Sequence, residues 1–192
     1  MTSYLPLWGF IILMVSTPGP ANLLLMSAGA QWGYRRSFPF LSGLVVGKLA
    51  LNVAMALGFM AVLLNSPRVL TTLSWVSAGY MAYLALRQWT PVSNSEQAST
   101  SLGFLQGLVV HPLSPKTWVM TTLAFSQFAP TFPTEIERLA VVPLSFLFFQ
   151  VLFHSIWCLA GAALGRMITR SLWVHRGLAL LTLAVIAWVL LM

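Results

Sequence analysis

The sequence predicts an all-α, polytopic membrane protein whose six transmembrane helices form an inverted repeat of three plus three. Three observations support this prediction. First, 58% of the 192 residues are hydrophobic and 7% are charged, whereas a soluble domain carries about 25% charged residues. Second, the chain contains six apolar runs near the length of about 20 residues that a bilayer requires. Third, proline-rich motifs interrupt the first and the fourth run, which predicts that helices one and four are broken.

The six predicted spans are joined by short connections and one longer polar stretch. This stretch, 90–101 (TPVSNSEQASTS), consists of turn-forming and small polar residues and is typical of a flexible surface linker. It divides a single transmembrane domain, residues 1–192, into halves 1–89 and 102–192. The predicted spans are 5–28, 38–64, 69–88, 103–128, 136–164 and 172–191.

Charges between the spans predict the orientation of the chain. The odd-numbered connections carry six arginines, whereas the second and fourth carry two arginines beside two glutamates. The positive-inside rule therefore places the odd-numbered connections in the cytoplasm and both termini in the periplasm. The N-terminus lacks a basic region and a small-residue cleavage site, so span one is interpreted as retained rather than as a signal peptide.

The net charge of +7 does not predict a nucleic-acid partner. The basic residues are scattered between apolar runs, so they are interpreted as topology signals, and the expected surrounding is the lipid bilayer. The single cysteine, Cys158, excludes an internal disulfide and a CxxC redox pair. With His111 and His154 it gives too few and too widely spaced ligands for a recognisable metal motif, so no metal, cofactor or catalytic residue is assigned.

Similarity between the two halves supports the inverted repeat. A shift of 94 residues aligns GFIILMVSTPGPANLLLMS with GFLQGLVVHPLSPKTWVMT and gives five identities in 19 positions. A shift of 102 then aligns Lys48 and Asn52 with Gln150 and His154. Each of these is a polar pair four residues apart, which places its members on one helical face.

The proline-rich motifs predict discontinuous helices rather than simple kinks, because they recur at equivalent depth in both halves. Irregular backbone inside a membrane is tolerated when it is buried in protein or lines a wet cavity. The residue before the second restart is read as an N-cap and the following proline as the first helical residue. Each restarted helix would present unpaired N–H groups and partial positive charge, which favour an anion such as a carboxylate. The residues assigned to the breaks are Thr17, Pro18, Gly19 and Pro20 in span one, and Ser114 and Pro115 in span four.

Both lysines of the chain, Lys48 and Lys116, are predicted to lie inside the membrane. Lys116 lies about 13 residues, or about 20 Å, into span four. A cation at such depth costs at least about 2.5–3.5 kcal/mol. The only acidic residues, Glu96, Glu135 and Glu137, lie in connections, so no carboxylate of the chain pairs with either lysine in the bilayer. The lysines could be neutral through desolvation, hydrated in a cavity, snorkelling, or paired with a substrate anion.

Four further polar side chains are candidates for the same pathway. Asn22 could donate to a substrate carboxylate, accept from an ammonium group, or only join two helices. His111 and His154 titrate nearest neutral pH, and with Gln150 they are candidates for a proton relay; each could equally be a buried bundle histidine. Small-residue pairs allow close helix approach, either within the chain or in a homodimer. These pairs are Gly43/Gly47, Gly103/Gly107 and Gly161/Gly165.

Over essentially its whole length the chain resembles the lysine exporter (LysE/RhtB) superfamily of bacterial amino-acid efflux proteins. The Pro-Gly-Pro motif of that family is usually followed by asparagine; here Ala21 intervenes before Asn22. The Asn-Pro-Lys motif of its fourth span is matched by SPK at 114–116, with serine in place of asparagine, and SWVSAGYMAYLAL at 74–86 resembles its third span. The resemblance implies export of amino acids or close derivatives from the cytoplasm across the bacterial inner membrane, driven by the proton motive force.

Together these observations predict a secondary exporter of a small molecule with a free carboxylate, favouring a neutral amino acid. The carboxylate is expected to bind between the restarted helices, near Lys116, and the two halves are expected to rock around it. Lys48 and Asn52 are assigned to the same transport pathway. An intramembrane enzyme and a structural membrane subunit without transport activity are the alternatives.

Overall fold

The computed structural model describes residues 4–59, 67–89, 101–167 and 172–191, and every regular element within them is helical. A π-helical turn, Met55–Phe59, follows the second helix, and a short 3-10 turn, Ala129–Thr131, follows the fifth. The α-helices are α1 (Tyr4–Ser16), α2 (Pro20–Ala54), α3 (Pro67–Arg87), α4 (Phe104–Leu113), α5 (Pro115–Gln127), α6 (Glu135–Met167) and α7 (Leu172–Leu191).

The chain leaves helical geometry at both proline-rich motifs. α1 ends at Ser16 and α2 begins at Pro20, whereas a single residue, Ser114, separates α4 from α5. A proline at the first helical position is tolerated because the N–H group there has no partner within the helix. Ser114 occupies the N-cap position with extended backbone angles, but the expected side-chain capping bond is not formed.

The first predicted connection is a sharp turn between two helical arms. One arm of α2 lies in span one and the other in span two, and the backbone between them departs from helical geometry at Gly33, with φ 74° and ψ 170°. A positive φ is accessible to glycine at little cost, which explains why the bend lies there. The break between the two arms lies within the predicted connection between spans 5–28 and 38–64, and Arg35 and Arg36 directly after it are exposed.

Glycines allow α2 to pack backbone to backbone against two other helices. A Cβ atom at Gly29 or Gly161 would collide with a main-chain carbonyl across the α2–α6 interface. A Cβ atom at Gly43 or Gly107 would do the same across the α2–α4 interface. These close contacts lie within one chain, so the intrachain role of these glycines is confirmed, while a homodimer stays a prediction.

The exterior of the described helices is apolar, as expected for a surface in contact with lipid. Leu5 and Leu57 are each 78% exposed, and Trp173 is 83% exposed. Two described stretches, Pro20–Gly58 and Glu135–Gly165, are long and apolar enough to cross a bilayer. The six-span inverted repeat and the orientation of the termini stay predictions. The predicted linker lies outside the described residues except for Ser101.

Candidate functional site

A cavity of about 30 Å³ lies where the break between α1 and α2 faces the start of α5. Its wall is formed by side chains and backbone of α1, α2, α4, α5 and α6. Two predicted pathway residues, Lys48 and Asn52, are outside this wall, and the exposed Thr17 and Pro18 border the break. The predicted residues that line the cavity are Gly19, Pro20, Asn22, His111, Ser114, Lys116, Gln150 and His154.

Lys116 connects the two breaks. It is the second residue of α5, after Pro115, and its Nζ donates to Thr17 Oγ1 at 2.8 Å. The Thr17 hydroxyl donates in turn to the carbonyl oxygen of Met14 at 3.0 Å. Gly19 leaves room for this arrangement, since a Cβ atom there would lie 3.3 Å from Lys116 Nζ. The ammonium group therefore rests against a neutral hydroxyl at the wall of the cavity.

Asn22 closes the end of α1 and leaves one polar atom unused. Its Nδ2 donates to the carbonyl oxygens of Val15 at 2.8 Å and Thr17 at 2.9 Å. Because both partners are acceptors, the contacting atom of the amide must be the nitrogen. Both contacts of the amide nitrogen are thus with the backbone of the break, and donation to a substrate carboxylate stays a prediction. Asn22 Oδ1 is buried and has no hydrogen-bond partner among the described residues, so the amide offers an acceptor.

Lys48 lies in a second polar cluster deeper in the helix bundle. It is 1% exposed, which rules out snorkelling in this structure. Its ammonium group donates to Thr121 Oγ1 and lies 4.2 Å from the centroid of the Phe146 ring. Thr121 Oγ1 also lies 3.3 Å from Asn52 Oδ1, so Lys48 and Asn52 do share one helical face. Lys48 thus has a neutral hydroxyl and an aromatic face as neighbours.

Two histidines and a glutamine meet at one point of the cavity wall. The Nε2 atoms of His111 and His154 lie 3.1 Å apart, and their rings are parallel within 4°. Gln150 Nε2 lies 2.6 Å from His111 Nε2 and 2.9 Å from His154 Nε2. Helices α4 and α6 therefore bring the three predicted relay residues into mutual contact, although 39 positions separate His111 from Gln150.

Two threonines of α5 link these clusters and were not predicted from the sequence. Thr121 Oγ1 donates to the carbonyl oxygen of Thr117 at 2.7 Å. Thr117 Oγ1 lies 3.0 Å from His111 Nδ1. Polar contacts therefore run from Lys48 through Thr121 and Thr117 to the histidines. The spacing of the two threonines, one turn apart directly after Lys116, is the sequence signal that could have found them.

An apolar helical exterior around a small polar cavity, lined where helices are interrupted, is typical of a membrane transport protein. The chain belongs to the LysE type translocator family, whose family model matches residues 11–192. Members of this family are integral proteins of the inner membrane. The resemblance found in the sequence is confirmed, and so is the prediction of a transporter rather than an enzyme.

Named relatives of the chain are efflux proteins. It is 25% identical over 155 residues to the cysteine/O-acetylserine efflux protein of Salmonella typhi, which covers 80% of each chain. It is 24% identical over 161 residues to the cysteine/O-acetylserine efflux protein of Escherichia coli (strain UTI89), which covers 83% of each chain. No solved structure matches the chain significantly.

Proposed function

We propose that the protein exports a small neutral amino acid, or a close derivative, from the cytoplasm across the inner membrane. Membership of a translocator family and the efflux activity named for its relatives support export of this class of molecule. The observation that carries the proposal is the position of Lys116. It places an ammonium group at the junction of two helix breaks, with a neutral hydroxyl as its partner.

The substrate carboxylate binds between Lys116 and the restarted helices. A lysine in the first turn of a helix is unfavourable unless an anion lies nearby. The first backbone hydrogen bond of α2 runs from Leu23 N to Gly19 O. The N–H groups of Ala21 and Asn22 therefore precede the helical hydrogen-bond pattern. Such N–H groups favour an anion. A carboxylate placed here would therefore be bound by backbone donors and by Lys116 together.

The substrate ammonium group is accepted by Asn22. Its buried Oδ1 lacks a partner in the described parts of the chain, and Asn22 lines the same cavity as Lys116. An amino acid in its zwitterionic form supplies both charges at once. Two buried or half-buried ammonium groups, those of Lys48 and Lys116, disfavour a substrate with a second positive charge. These features favour a neutral amino acid over lysine or arginine.

Transport proceeds by alternating access. One water molecule needs roughly 10–15 Å³ of cavity volume. The cavity of about 30 Å³ is therefore too small for an amino acid. The site must therefore widen to admit substrate, and the contact between Lys116 and Thr17 is the bond that joins its two sides. Rocking of the two three-span halves around this site would expose it to each side of the membrane in turn.

Protons are the proposed coupling ion. His111 and His154 are the groups whose ordinary titration range is closest to physiological pH. Their contact with each other and with Gln150, and the contact of His111 Nδ1 with the Thr117 hydroxyl, bring groups with exchangeable protons together at the cavity. A proton relay through these residues is part of the proposal.

The test is direct transport by the purified protein in vesicles. Vesicles containing the protein are loaded with labelled alanine, serine, cysteine, O-acetylserine or lysine, and efflux is followed with and without a proton gradient. We expect gradient-stimulated efflux of the neutral substrates and little efflux of lysine. Efflux of lysine in preference to the neutral substrates would contradict the proposed site. Absence of efflux for every substrate would favour the structural subunit.

A further inference from the structure

A second cavity, of about 520 Å³, lies at the turn of α2 and faces α6. It is separate from the cavity beside Lys116, because no residue lines both. Ligand sites in proteins have volumes of about 300–1,000 Å³, so the second cavity has room for a ligand. Its wall combines basic, aromatic and apolar residues of the two helices, among them Arg35, Arg36, Trp32, Gly33 and Leu159.

Two exposed arginines give this cavity positive charge. Arg35 and Arg36 closely follow Gly33, where the helix is interrupted, so they lie in the first turn of the second arm of α2. The partial positive charge at the start of a helix disfavours a cation there unless an anion lies nearby. Among the described residues, the only acidic side chains lie in the first turn of α6. That turn is roughly 33 Å along the helix from Leu159. The cavity therefore favours an anionic ligand.

A buried hydrogen-bond donor belongs to the same wall. Trp32 is 7% exposed, and its indole N–H has no hydrogen-bond partner in the part of the chain that the structure describes. An indole nitrogen only donates, so the missing partner is an acceptor. A buried donor without an acceptor costs free energy that a bound acceptor recovers. A ligand oxygen supplies that acceptor, in agreement with the preference for an anion.

An apolar stripe leads away from the cavity along α6. Leu152, Ile156 and Leu159 are 44%, 48% and 48% exposed. Their spacing of four and then three residues places them on one face of the helix. Leu159 also forms part of the cavity wall, so the stripe is continuous with the cavity. A ligand that contacts both has an anionic head and a hydrocarbon tail, whereas a free phosphate ion would leave the stripe unused.

We infer that the cavity at the turn of α2 binds the headgroup of an anionic phospholipid. Arg35 and Arg36 bind the phosphate oxygens, because a guanidinium group can donate two parallel hydrogen bonds to a phosphate. Trp32 donates to a headgroup oxygen, and an acyl chain lies along the stripe on α6. A zwitterionic headgroup would bring an ammonium group that the two arginines repel. Basic pockets between transmembrane helices bind anionic headgroups in this way.

The experiment measures the melting temperature of the delipidated, detergent-solubilised protein as a ligand is added. The ligands are phosphatidylglycerol, phosphatidylcholine with the same acyl chains, and glycerol phosphate without acyl chains. A ligand that binds only the folded protein raises its melting temperature as its concentration rises. We expect phosphatidylcholine to need at least about ten times the concentration of phosphatidylglycerol for the same shift. We expect no shift with glycerol phosphate at those concentrations.

Substitutions in the wall test whether the shift arises from this cavity. Arg35→Gln/Arg36→Gln should raise the phosphatidylglycerol concentration that gives half of the shift by at least about tenfold, because both charges are lost. Trp32→Phe keeps an aromatic ring but loses the N–H group, and should raise it by about threefold to tenfold. Arg35→Lys/Arg36→Lys keeps the charge and should restore part of the response, which separates lipid binding from a folding defect.

Arg68→Gln/Arg176→Gln is the matched control. It removes the same amount of charge at two exposed arginines that do not line the cavity. We expect its melting temperature to respond to phosphatidylglycerol as that of the wild type does.

An equal response of the wild type to phosphatidylglycerol and phosphatidylcholine would overturn this inference, and so would an unchanged response in Arg35→Gln/Arg36→Gln. An equal loss of response in the control variant would also overturn it, because the attraction would then depend only on net charge. A shift with glycerol phosphate at the same concentrations would assign the cavity to a free anion instead of a lipid. The experiment does not involve transport, so its failure leaves the proposed function intact.

Discussion

Lys116 Nζ lies 2.8 Å from Thr17 Oγ1, although 99 positions separate the two residues in the chain. The contact joins the break between α1 and α2 to the first turn of α5. An ammonium group bonds more strongly to a carboxylate than to a neutral hydroxyl. Under the proposed function, the partner of Lys116 in this structure is therefore one that a substrate carboxylate would replace.

Replacing Lys116 by methionine should abolish export. The variant Lys116→Met keeps a long side chain but loses the charge, so the carboxylate loses a charge-assisted bond. We expect initial efflux of neutral amino acids to fall by at least about tenfold, measured in vesicles at matched protein content. Arg68→Met, at an exposed position of α3, is the control and should transport normally. Normal transport by Lys116→Met would refute the assigned carboxylate site.

Replacing Lys48 by methionine should stabilise the protein while slowing transport. Lys48 is 1% exposed, and its ammonium group contacts the neutral side chains of Thr121 and Phe146; a buried ammonium group without a carboxylate is costly. We expect Lys48→Met to raise the melting temperature of the detergent-solubilised protein and to reduce efflux. A lower melting temperature would mean that the ammonium group is a net stabilising part of the bundle. Unchanged efflux would show that Lys48 is not part of the transport pathway.

Asn22 should have separable structural and binding roles. Asn22→Leu removes the donor that caps the carbonyl ends of α1 and leaves two buried acceptors unpaired, so we expect a loss of about 1–3 kcal/mol in stability. Asn22→Asp removes the donor but keeps an acceptor that attracts an ammonium group. We therefore expect Asn22→Asp to retain measurable amino-acid binding, followed by isothermal titration, at a stability similar to that of Asn22→Leu. Tight binding by Asn22→Leu would contradict the role of Oδ1.

The glycine interfaces can be tested with a matched pair of alanine substitutions. A Cβ atom at Gly161 would collide with the carbonyl oxygen of Met26, whereas a Cβ atom at Gly79 would meet nothing within 4 Å. We expect Gly161→Ala to destabilise the protein by about 1–3 kcal/mol. Gly79→Ala, in α3, should be neutral or stabilising by up to about 1 kcal/mol. Chemical denaturation in detergent measures both, and similar effects of the two substitutions would show that α2 and α6 can separate freely.

Coupling to protons can be tested independently of the site. If His111 and His154 relay a proton, efflux should accelerate when the external medium is more acidic than the interior of the vesicle. It should slow when a protonophore removes that gradient. The rate of efflux at equal substrate load is the measurement. Efflux that does not respond to the proton gradient but does respond to an imposed sodium gradient would show that sodium, and not the proton, is the coupling ion.

The sequence was sufficient for those parts of the site that depend on local rules. The proline-rich motifs, the apolar runs around them and the absence of acidic residues near Lys116 follow from composition and spacing alone. Thr117 and Thr121 were missed because an isolated threonine in an apolar helix usually bonds to its own backbone, and only the packing of α5 against α2 and α4 gives these two another role. The sequence leaves the role of Asn22 open for a similar reason, since the path of the chain between Ser16 and Pro20 decides which carbonyl groups need a partner.

The connection that the sequence predicts around Arg35 and Arg36 is shorter in the structure, where the helix is interrupted at Gly33. What composition and spacing do not contain is the positive φ at Gly33 that makes so tight a turn possible. The histidine contacts are likewise tertiary, because α4 and α6 meet only in the folded bundle.

The turn at Gly33 has a geometric consequence. Before it, Ala30 lies against Gly165 of α6, and after it the second arm of α2 runs back along the same helix as far as Lys48. Asn22 on one arm lines the cavity with His154 of α6, and Lys48 on the other arm lies over the Phe146 ring, so both polar side chains are set against the same helix.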